Sequence, residues 1–270
     1  MIDPTRRISF AVALARALRF FSRLPVPLLA EESSADDKTD FAATAIAVPI
    51  AGAIIGAVPT LTLGLLYGLG LGAAAAVVAA LTAMVIVTGA LHEDGMADVA
   101  DGFFGAGSAE RRLEIMRDSR HGSYGVLALI LVMLARFALL TEITAISTGA
   151  AAAALIAAAS LSRAGCLMPL ALLPSARRDG LGAGAGRLPM EAFTQAALLG
   201  CGVTLVMALI GHFGLLRGIL ACAAGLAACY GVCGLAKAKI GGQTGDVAGC
   251  AQILAELAIY IALAIGRGGA

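Results

Sequence analysis

Seven long apolar segments dominate this sequence and leave few ways in which the chain can fold. Each contains about 20 residues or more, the length that an α-helix needs to cross the hydrocarbon core of a bilayer. Their approximate bounds are 43–68, 71–91, 124–146, 150–173, 193–211, 214–236 and 248–266. Only 14% of the residues are charged, whereas about a quarter of an average soluble domain is charged. We therefore predict an all-α, polytopic integral membrane protein with about seven transmembrane helices, between six and eight, in a single domain over residues 1–270.

The first 40 residues differ from the rest and predict an interfacial amphipathic helix followed by a polar linker. Four apolar side chains recur near the helical period, and three arginines fall on another side of that helix. The apolar residues are Phe10, Leu14, Leu18 and Phe21, and the arginines are Arg16, Arg19 and Arg23. Pro25 and Pro27 end the helix, and residues 31–40 form the linker. We expect the helix to contact membrane lipid; the alternative is a helix that packs on the protein.

The distribution of positive charge predicts the orientation of the chain in the membrane. With the N-terminus inside, the inner segments carry 15 of the 19 Lys and Arg residues, and the outer segments carry two. These inner segments are 1–42, 92–123, 174–192 and 237–247. Because cytoplasmic loops are enriched in positive charge, we expect a cytoplasmic N-terminus and a site on the cytoplasmic face. The net charge of +1 does not indicate nucleic acid as a partner. The small residues of the spans permit close helix packing, and with it a homodimer.

The strongest polar motif is HEDGMADVADGFFG, residues 92–105, directly after the second apolar segment. Asp94, Asp98 and Asp101 are spaced i, i+4 and i+7, so that a helix places them on one face. Three carboxylates so close repel one another unless a cation lies between them, and Mg²⁺ prefers oxygen ligands of this kind. The motif therefore predicts a magnesium site; the alternative is a solvated acidic helix end. His92 and Glu93 are expected as supporting or surface groups.

Two further segments carry candidate substrate contacts. Residues 108–125 contain a cluster of arginines suited to phosphate oxygens, and Asp118 is another candidate ligand. These arginines are Arg111, Arg112, Arg117 and Arg120. Their alternative role is to bind anionic lipid head groups and fix the topology. In residues 239–250, Gly242, Thr244 and Asp246 could cradle a phosphate or nucleoside at a helix N-terminus, and Asp246 could also bind the metal. The alternative there is a capped helix start with packing glycines.

Charged residues within the apolar segments, and one basic loop, complete the set of candidates. Arg136 and Arg163 are predicted to lie inside spans, where ionisable residues mark function by default. Asp94 and Glu256 are candidate partners for them, and Arg163 is a candidate substrate contact. Residues 172–189 are glycine-rich and basic, and we expect them to form a loop over the site.

Five motifs taken together resemble one family, the cobalamin synthases. They are FFSRLPVP at 20–27, HEDGMADVADGFFG at 92–105, RLEIMRDSRHGSYG at 112–125, LSRAG at 161–165 with the following GLG at 180–182, and GGQTGDVAG at 241–249. They occur in the family's order and extend over nearly the whole chain. One departure is Glu93, at a position where the family is not expected to require a carboxylate.

The resemblance implies a transferase of the cell inner membrane that acts on adenosylcobinamide-GDP and uses Mg²⁺. In that reaction the ribose 3′-hydroxyl of α-ribazole, or of its 5′-phosphate, attacks the phosphorus next to the cobinamide, and GMP leaves. The product is adenosylcobalamin or its 5′-phosphate, in the last steps of nucleotide-loop assembly. Asp94, Asp98 and Asp101 would then hold Mg²⁺, and Asp118 or Asp246 would complete the site. One of the carboxylates would act as base.

Two other functions remain open at this point. Asp98-x-x-Asp101-Gly102 also resembles the DxxDG element of the CDP-alcohol phosphotransferases, although the rest of their motif does not follow here. A phospholipid synthase is therefore the alternative enzyme. A cation-coupled transporter is the alternative from a different class, because intramembrane acids and arginines can mark ion pathways. Transporters often show two related halves, and no such repeat is visible in this sequence.

Overall fold

The computed structural model describes residues 8–32, 41–177 and 187–266, and in these ranges the protein is built from helices. In chain order they are α1 Phe10–Phe21, α2 Phe41–Thr44, α3 Val48–Gly68, α4 Ala73–Thr88, α5 Leu91–Gly105, α6 Ala109–Ile115, α7 Ser123–Ile146, α8 Thr148–Gly165, α9 Met168–Leu172, α10 Met190–Ile210, α11 Leu215–Ile240 and α12 Gly245–Ala264. A 3₁₀ turn, Ala45–Ala47, joins α2 to α3. Within the described ranges, extended pairing is limited to one bridge between Ser175 and Gln243. The all-α prediction is confirmed.

Six helical segments of the described chain are long and apolar enough to cross a membrane. They are Phe41–Gly68, Ser123–Ile146, Thr148–Leu172, Met190–Ile210, Leu215–Ile240 and Gly245–Ala264. The number rises to seven if α4 and α5, which are bent by 89° at their junction, count as one broken span. The prediction of six to eight spans is therefore confirmed.

The second predicted span, 71–91, is shorter in the structure and ends in a sharp bend. Helix α4 has 16 residues, which corresponds to about 24 Å of helix. Gly89 ends it with φ 63°, and Ala90 follows with φ 56°. Glycine adopts this left-handed conformation readily, whereas alanine does so at a cost. These two residues turn α5 by 89°, so we treat α5 and its acidic motif as lying outside the membrane-spanning helices.

Helix α8 forms the centre of the bundle, where small residues allow helices to meet backbone to backbone. Most of its residues are buried. A Cβ added to Gly52 of α3 would lie 2.9 Å from the Cα of Ser160, and one added to Gly56 would lie 2.8 Å from the Cβ of Ala159. The close contact of α3 with α8 therefore depends on these glycines, as expected for helices that pack in lipid.

Helix α1 is the predicted amphipathic helix, and it packs against α3 and the 3₁₀ turn. Its apolar residues Leu18 and Phe21 are buried, and Arg16 pairs with Glu32 at 3.2 Å in the segment that follows. Much of its apolar side is thus covered by protein, which agrees with the alternative of a helix packed on the protein, while contact with lipid stays a prediction. Residues 33–40 of the predicted linker lie outside the described residues.

Candidate active site

Helices α5 and α12 cross in close contact, and this contact brings acidic residues of both helices together. A Cβ added to Gly95 would lie 2.9 Å from the carbonyl oxygen of Asp246 and 3.0 Å from its Cα. Asp94 directly precedes Gly95 on α5, and Asp98 lies one turn further on. The absence of a side chain at Gly95 therefore lets α5 carry two carboxylates to the first turn of α12. We call Asp94, Asp98 and Asp246 the acidic cluster.

The acidic cluster perturbs the ionisation of its central member. Burial, together with the charges of Asp246 and Asp94, raises the pKa of Asp98 to about 7, against the opposing effect of Arg177. A carboxyl group that titrates near neutral pH is suited to accept a proton, and such shifts concentrate at functional sites. Asp98 is therefore the group of the cluster best suited to act as a base.

The glycine-rich segment after α11 is joined to the chain that follows α9. The backbone N–H of Gln243 donates to the carbonyl of Pro174 at 2.8 Å, and the N–H of Ala176 donates to the carbonyl of Gln243 at 2.9 Å. A Cβ added to Gly242 would lie 2.9 Å from the nitrogen of Ala176, so a larger residue would separate the two segments. This pairing holds the chain that follows α9 beside the start of α12.

Arg177 is a residue of the site that the sequence did not single out. Its Nη1 lies 3.4 Å from the Oδ2 of Asp246, and its Nη2 donates to the carbonyl of Leu113 at 3.2 Å. The feature of the sequence that could have pointed to Arg177 is its position in the basic segment 172–189, which we expected to lie over the site. Residues 178–186 of that segment lie outside the described part of the chain.

Thr244 and Gly242 have clear structural roles at the start of α12. The Thr244 hydroxyl accepts a hydrogen bond from the N–H of Val247 at 3.2 Å and donates to the Asp246 carboxylate at 3.2 Å. Gly242 is buried against Pro174. These contacts agree with the alternative of a capped helix start with packing glycines. A substrate role for either residue stays a prediction.

Asp101 caps the start of α7, a role that its spacing on α5 did not reveal. Its Oδ2 accepts a hydrogen bond from the N–H of Gly122 at 2.7 Å, and its Oδ1 accepts one from the N–H of Gly125 at 2.8 Å. The carboxylate satisfies two N–H groups that the first turn of a helix leaves without partners. The metal and catalytic roles predicted for Asp101 stay predictions.

Four of the predicted site residues lie on or just after α6, outside the lining of the cavity described below. Asp118 pairs with Arg120 at 2.6 Å, and hydrogen bonds from Arg120 lower the pKa of Asp118 to about 2. Arg111 pairs with Glu114 at 2.8 Å, and Arg117 is exposed. The structure therefore does not bring these side chains into the acidic cluster, and their phosphate or catalytic roles stay predictions.

The remaining two predicted arginines are turned into the protein. Arg112 donates from Nη1 to the carbonyl of Lys239 at 2.9 Å and so links α6 to α11. Arg163, which is buried in α8, donates from Nη1 to the carbonyl of Ala159 at 3.0 Å. Their substrate contacts stay predictions as well.

A buried ion-pair network links α5, α7 and α12 next to the acidic cluster. Arg136 donates from Nη1 to Glu93 at 2.6 Å and from Nη2 to Glu256 at 2.8 Å. Gln252 donates both to Glu256 at 2.9 Å and to Ser162 at 2.8 Å. Glu256 is thus a partner of Arg136, as considered from the sequence, and Glu93 is a buried supporting group. Because Glu93 precedes Asp94, the network holds the acidic turn of α5 in place.

A cavity of about 190 Å³ lies beside the acidic cluster. Asp94, Asp246 and Arg177 contribute polar groups to its lining, and apolar residues such as Phe21 and Leu170 line much of the remainder. Pockets with a few convergent polar groups in an apolar lining are typical of sites for small molecules.

The chemistry of the acidic cluster fits a hard divalent cation. Mg²⁺ prefers carboxylate oxygens and keeps several waters, so that one or two carboxylates and a substrate phosphate suffice. Among the described residues, no three His, Cys, Asp or Glu side chains already form a group that could hold a metal. A site of this limited kind therefore fits better than a cage made by protein ligands alone, and Asp94 and Asp246 are the residues that would hold such an ion.

These features define a multi-pass helical membrane protein with carboxylates and an arginine beside a small-molecule cavity, which suits chemistry on phosphate groups. The profile of the cobalamin-5-phosphate synthase family matches residues 13–264. The adenosylcobinamide-GDP ribazoletransferase of Azorhizobium caulinodans is 46% identical over 249 residues, which cover 92% of this chain and 94% of that protein. No solved structure matches the chain.

Proteins of the same name from two further organisms are also similar. The Mesorhizobium japonicum protein is 40% identical over 255 residues, 93% of this chain and 92% of that protein. The Brucella anthropi protein is 40% identical over 250 residues, 92% of this chain and 94% of that protein. The chain therefore belongs to the cobalamin-5-phosphate synthase family and is an enzyme of the transferase class. The predicted family resemblance is confirmed.

Proposed function

We propose that this enzyme transfers the phosphocobinamide group of adenosylcobinamide-GDP to α-ribazole or α-ribazole 5′-phosphate. The ribose 3′-hydroxyl oxygen forms a bond to the phosphorus next to the cobinamide. The bond from that phosphorus to the bridging oxygen breaks, GMP leaves with the electron pair, and the hydroxyl proton passes to a base. The product is adenosylcobalamin or its 5′-phosphate. The names of the relatives support this reaction.

One observation of the structure carries the proposal. Two carboxylates of α5 and one of α12, which are about 150 residues apart in the sequence, come together beside a cavity and next to Arg177. A diphosphate that is attacked by a hydroxyl needs neutralisation of its charge, a proton acceptor and fixed orientation. Arg177, together with a cation held by the acidic cluster, would neutralise the charge of the diphosphate. A carboxylate of the cluster would accept the proton.

The proposal gives these residues distinct tasks. Asp98 receives the proton of the attacking hydroxyl, because burial, the largest cause of its raised pKa, persists when a cation neutralises Asp94 and Asp246. Arg177 binds an oxygen of the diphosphate, since its guanidinium presents several donors that match phosphate. Its 3.4 Å contact with Asp246 is long enough for a phosphate to compete for the same donors.

Magnesium belongs to the proposal as the cofactor, held by Asp94 and Asp246. When bound, Mg²⁺ neutralises part of the charge on the diphosphate and on the departing GMP. Removal of divalent cations with EDTA should therefore abolish GMP release, and added Mg²⁺ should restore it. Full activity in EDTA would contradict this part of the proposal.

The proposal places the enzyme in the cell inner membrane with its N-terminus and acidic cluster on the cytoplasmic side. The excess of Lys and Arg in the segments around the cluster supports this orientation. A cysteine introduced at the exposed Ser108 should then resist membrane-impermeant thiol reagents added to intact spheroplasts and react after lysis. Labelling in intact spheroplasts would contradict the orientation.

Purified enzyme in detergent tests the reaction directly. With adenosylcobinamide-GDP, α-ribazole 5′-phosphate and Mg²⁺, we expect equal amounts of GMP and adenosylcobalamin 5′-phosphate. Incubation with a CDP-activated lipid and an alcohol acceptor tests the phospholipid synthase alternative, and no CMP release is expected. A folded protein that releases no GMP from the corrinoid substrate would overturn the proposal.

Replacing Gly95 with alanine is expected to lower turnover about 10- to 100-fold, because small displacements of catalytic groups have effects of this size. The new methyl group would meet the backbone of Asp246 at 2.9–3.0 Å, so α5 and α12 must move apart. Gly64→Ala is the matched control, since nothing lies within 4 Å of a Cβ at that position. Equal rates of GMP release by the two variants would show that the helix contact does not position the site.

A further inference from the structure

The cavity beside the acidic cluster has a lining of uneven polarity. Its charged lining residues Asp94, Asp246 and Arg177 are exposed or partly exposed, and Ser175, Gln243 and Thr244 add uncharged polar side chains close to them in the sequence. Many of the other residues that line it are apolar and mostly buried or half-buried: Phe20, Phe21, Phe41, Leu91, Leu167 and Leu170. A ligand that fills the cavity must therefore combine an apolar body with a polar part that reaches the acidic cluster.

The aromatic side chains of this lining are held in fixed orientations by one another. The ring of Phe20 meets those of Phe21 and Phe41 edge to face, with centroids 4.8 and 5.0 Å apart. The Phe21 ring is nearly parallel to the imidazole of His92, with an interplanar angle of 12° and centroids 5.8 Å apart. Interlocked rings of this kind form rigid, flat surfaces that suit a planar ligand.

His92 adds one polar atom to this apolar lining. The residue lines the cavity, its exposed fraction is 3%, and its Nε2 has no hydrogen-bond partner within the described protein. A buried polar atom without a partner is costly and calls for an explanation. In one neutral tautomer Nε2 carries a proton, so that a ligand with a single acceptor on an otherwise apolar ring would satisfy it.

We propose that this cavity is the subsite for the base of the ribazole acceptor, and that His92 Nε2 donates a hydrogen bond to the free ring nitrogen of that base. The inference rests on the proposed function. The base is 5,6-dimethylbenzimidazole, which is planar and apolar except for its two ring nitrogens. In the riboside one nitrogen carries the sugar, which leaves one lone pair as the only acceptor of the base.

The other two large groups of the substrates fit this cavity poorly. Guanine presents several donors and acceptors along its edges, and the phenylalanine and leucine side chains would leave without partners those that do not reach Ser175, Gln243 or Thr244. A corrin ring with its side chains is several times larger than a cavity of about 190 Å³. The diphosphate and the corrinoid must therefore lie outside the cavity, on the side of the acidic cluster.

The assignment also orients the acceptor for reaction. With the base among the aromatic residues, the attached ribose leaves the cavity past Asp94 and Asp246, where the proposed metal and diphosphate lie. The base then acts as an anchor remote from the reacting hydroxyl, and its binding energy reduces the cost of orienting that hydroxyl.

The test compares α-ribazole with an analogue in which the free ring nitrogen is replaced by C–H. In the wild type we expect kcat/KM to be about 3- to 10-fold higher for α-ribazole, the range that one hydrogen bond supplies. In His92→Phe this preference should disappear, while KM for adenosylcobinamide-GDP stays unchanged. A preference that survives in His92→Phe would overturn the role of His92.

A second pair of variants tests the cavity without altering α5. Leu170→Trp fills the space and should raise KM for α-ribazole at least 10-fold, with KM for adenosylcobinamide-GDP unchanged. Leu172→Trp is the matched control, because Leu172 lies on the same helix, is 36% exposed and does not line the cavity. An unchanged KM for α-ribazole in Leu170→Trp, or an equal rise for both substrates, would overturn the assignment.

Direct binding separates failure of this inference from failure of the proposed function. Saturation-transfer NMR with free 5,6-dimethylbenzimidazole should show contact with the wild type and the Leu172→Trp variant but not with Leu170→Trp. If the wild type makes no cobalamin product yet shows this pattern, the proposed reaction fails and the subsite stands. If it makes product but the base gives equal signals with all three proteins, the subsite assignment fails and the reaction stands.

Discussion

Asp98→Asn is expected to lower turnover by about 100- to 10,000-fold, the range that a positioned general base contributes. Asparagine keeps the size and hydrogen-bonding shape of the side chain but cannot accept the hydroxyl proton. Burial and the neighbouring carboxylates raise the pKa of Asp98 to about 7. Asp246 is partly buried as well, but it contacts Arg177 and is assigned to the metal. The measurement is the initial rate of GMP release at saturating substrates.

A magnesium titration of the same variant decides between two roles of Asp98. If Asp98 is the base and Asp94 and Asp246 hold the metal, the Mg²⁺ concentration that gives half of the maximal rate should hardly change in Asp98→Asn. In Asp246→Asn that concentration should rise at least about 10-fold. Even the loss of a group that only supports a metal ligand lowers metal affinity by about this factor. Glu110→Gln, on the exposed surface of α6, is the control.

Two results would contradict this assignment. A rate within threefold of the wild type would exclude Asp98 as the base. A strong shift in the magnesium requirement of Asp98→Asn, with a near-normal maximal rate, would instead make Asp98 a metal ligand, as its spacing with Asp94 in the sequence first suggested.

Arg136→Met is expected to destabilise the protein by about 3–5 kcal/mol, the usual cost of removing one partner of a buried ion pair. Arg136 is 2% exposed and contacts both Glu93 and Glu256. Without it, two carboxylates remain in the interior and lack their direct ion-pair partner, although the buried positive charge of Arg163 still lies near them. The measurement is thermal unfolding of the purified protein in one detergent.

The combination of Arg136→Met with Glu93→Gln and Glu256→Gln tests the cause of that loss. Because the three changes remove all charges of the pairs together, the triple variant should recover much of the stability that Arg136→Met loses. Arg217→Met is the control, since Arg217 lies at the end of the bundle and donates to the carbonyl of Ile265. Equal unfolding temperatures for Arg136→Met and the control would show that the network is not needed for stability.

The sequence was sufficient for most of the long helices, although it did not predict the 89° bend that follows α4. The length of an apolar segment is a local property, and so is the residue that begins a helix. Ser147 and Thr244 accept hydrogen bonds from the first turns of α8 and α12, and such caps are readable from residue type. The family could likewise be recognised from short motifs, because each motif is a continuous stretch of chain.

Within α5 the sequence also predicted that carboxylates of one face lie together, since helical periodicity relates residues three and four apart. It could not predict which neighbour each carboxylate meets. Asp98 faces α12 and its Asp246, whereas Asp101 turns to the first turn of α7 and accepts hydrogen bonds from two backbone N–H groups.

Only the tertiary structure decided which residues from distant segments complete the site. Arg177 reaches Asp246 because a short backbone pairing ties Pro174 and Ala176 to Gln243. Glu93 reaches Arg136 because α5 turns by 89° after α4. The physical reason is that periodicity fixes relations within one helix, while contacts between helices depend on how close two backbones can come. Here the lack of a side chain at Gly95 sets that distance.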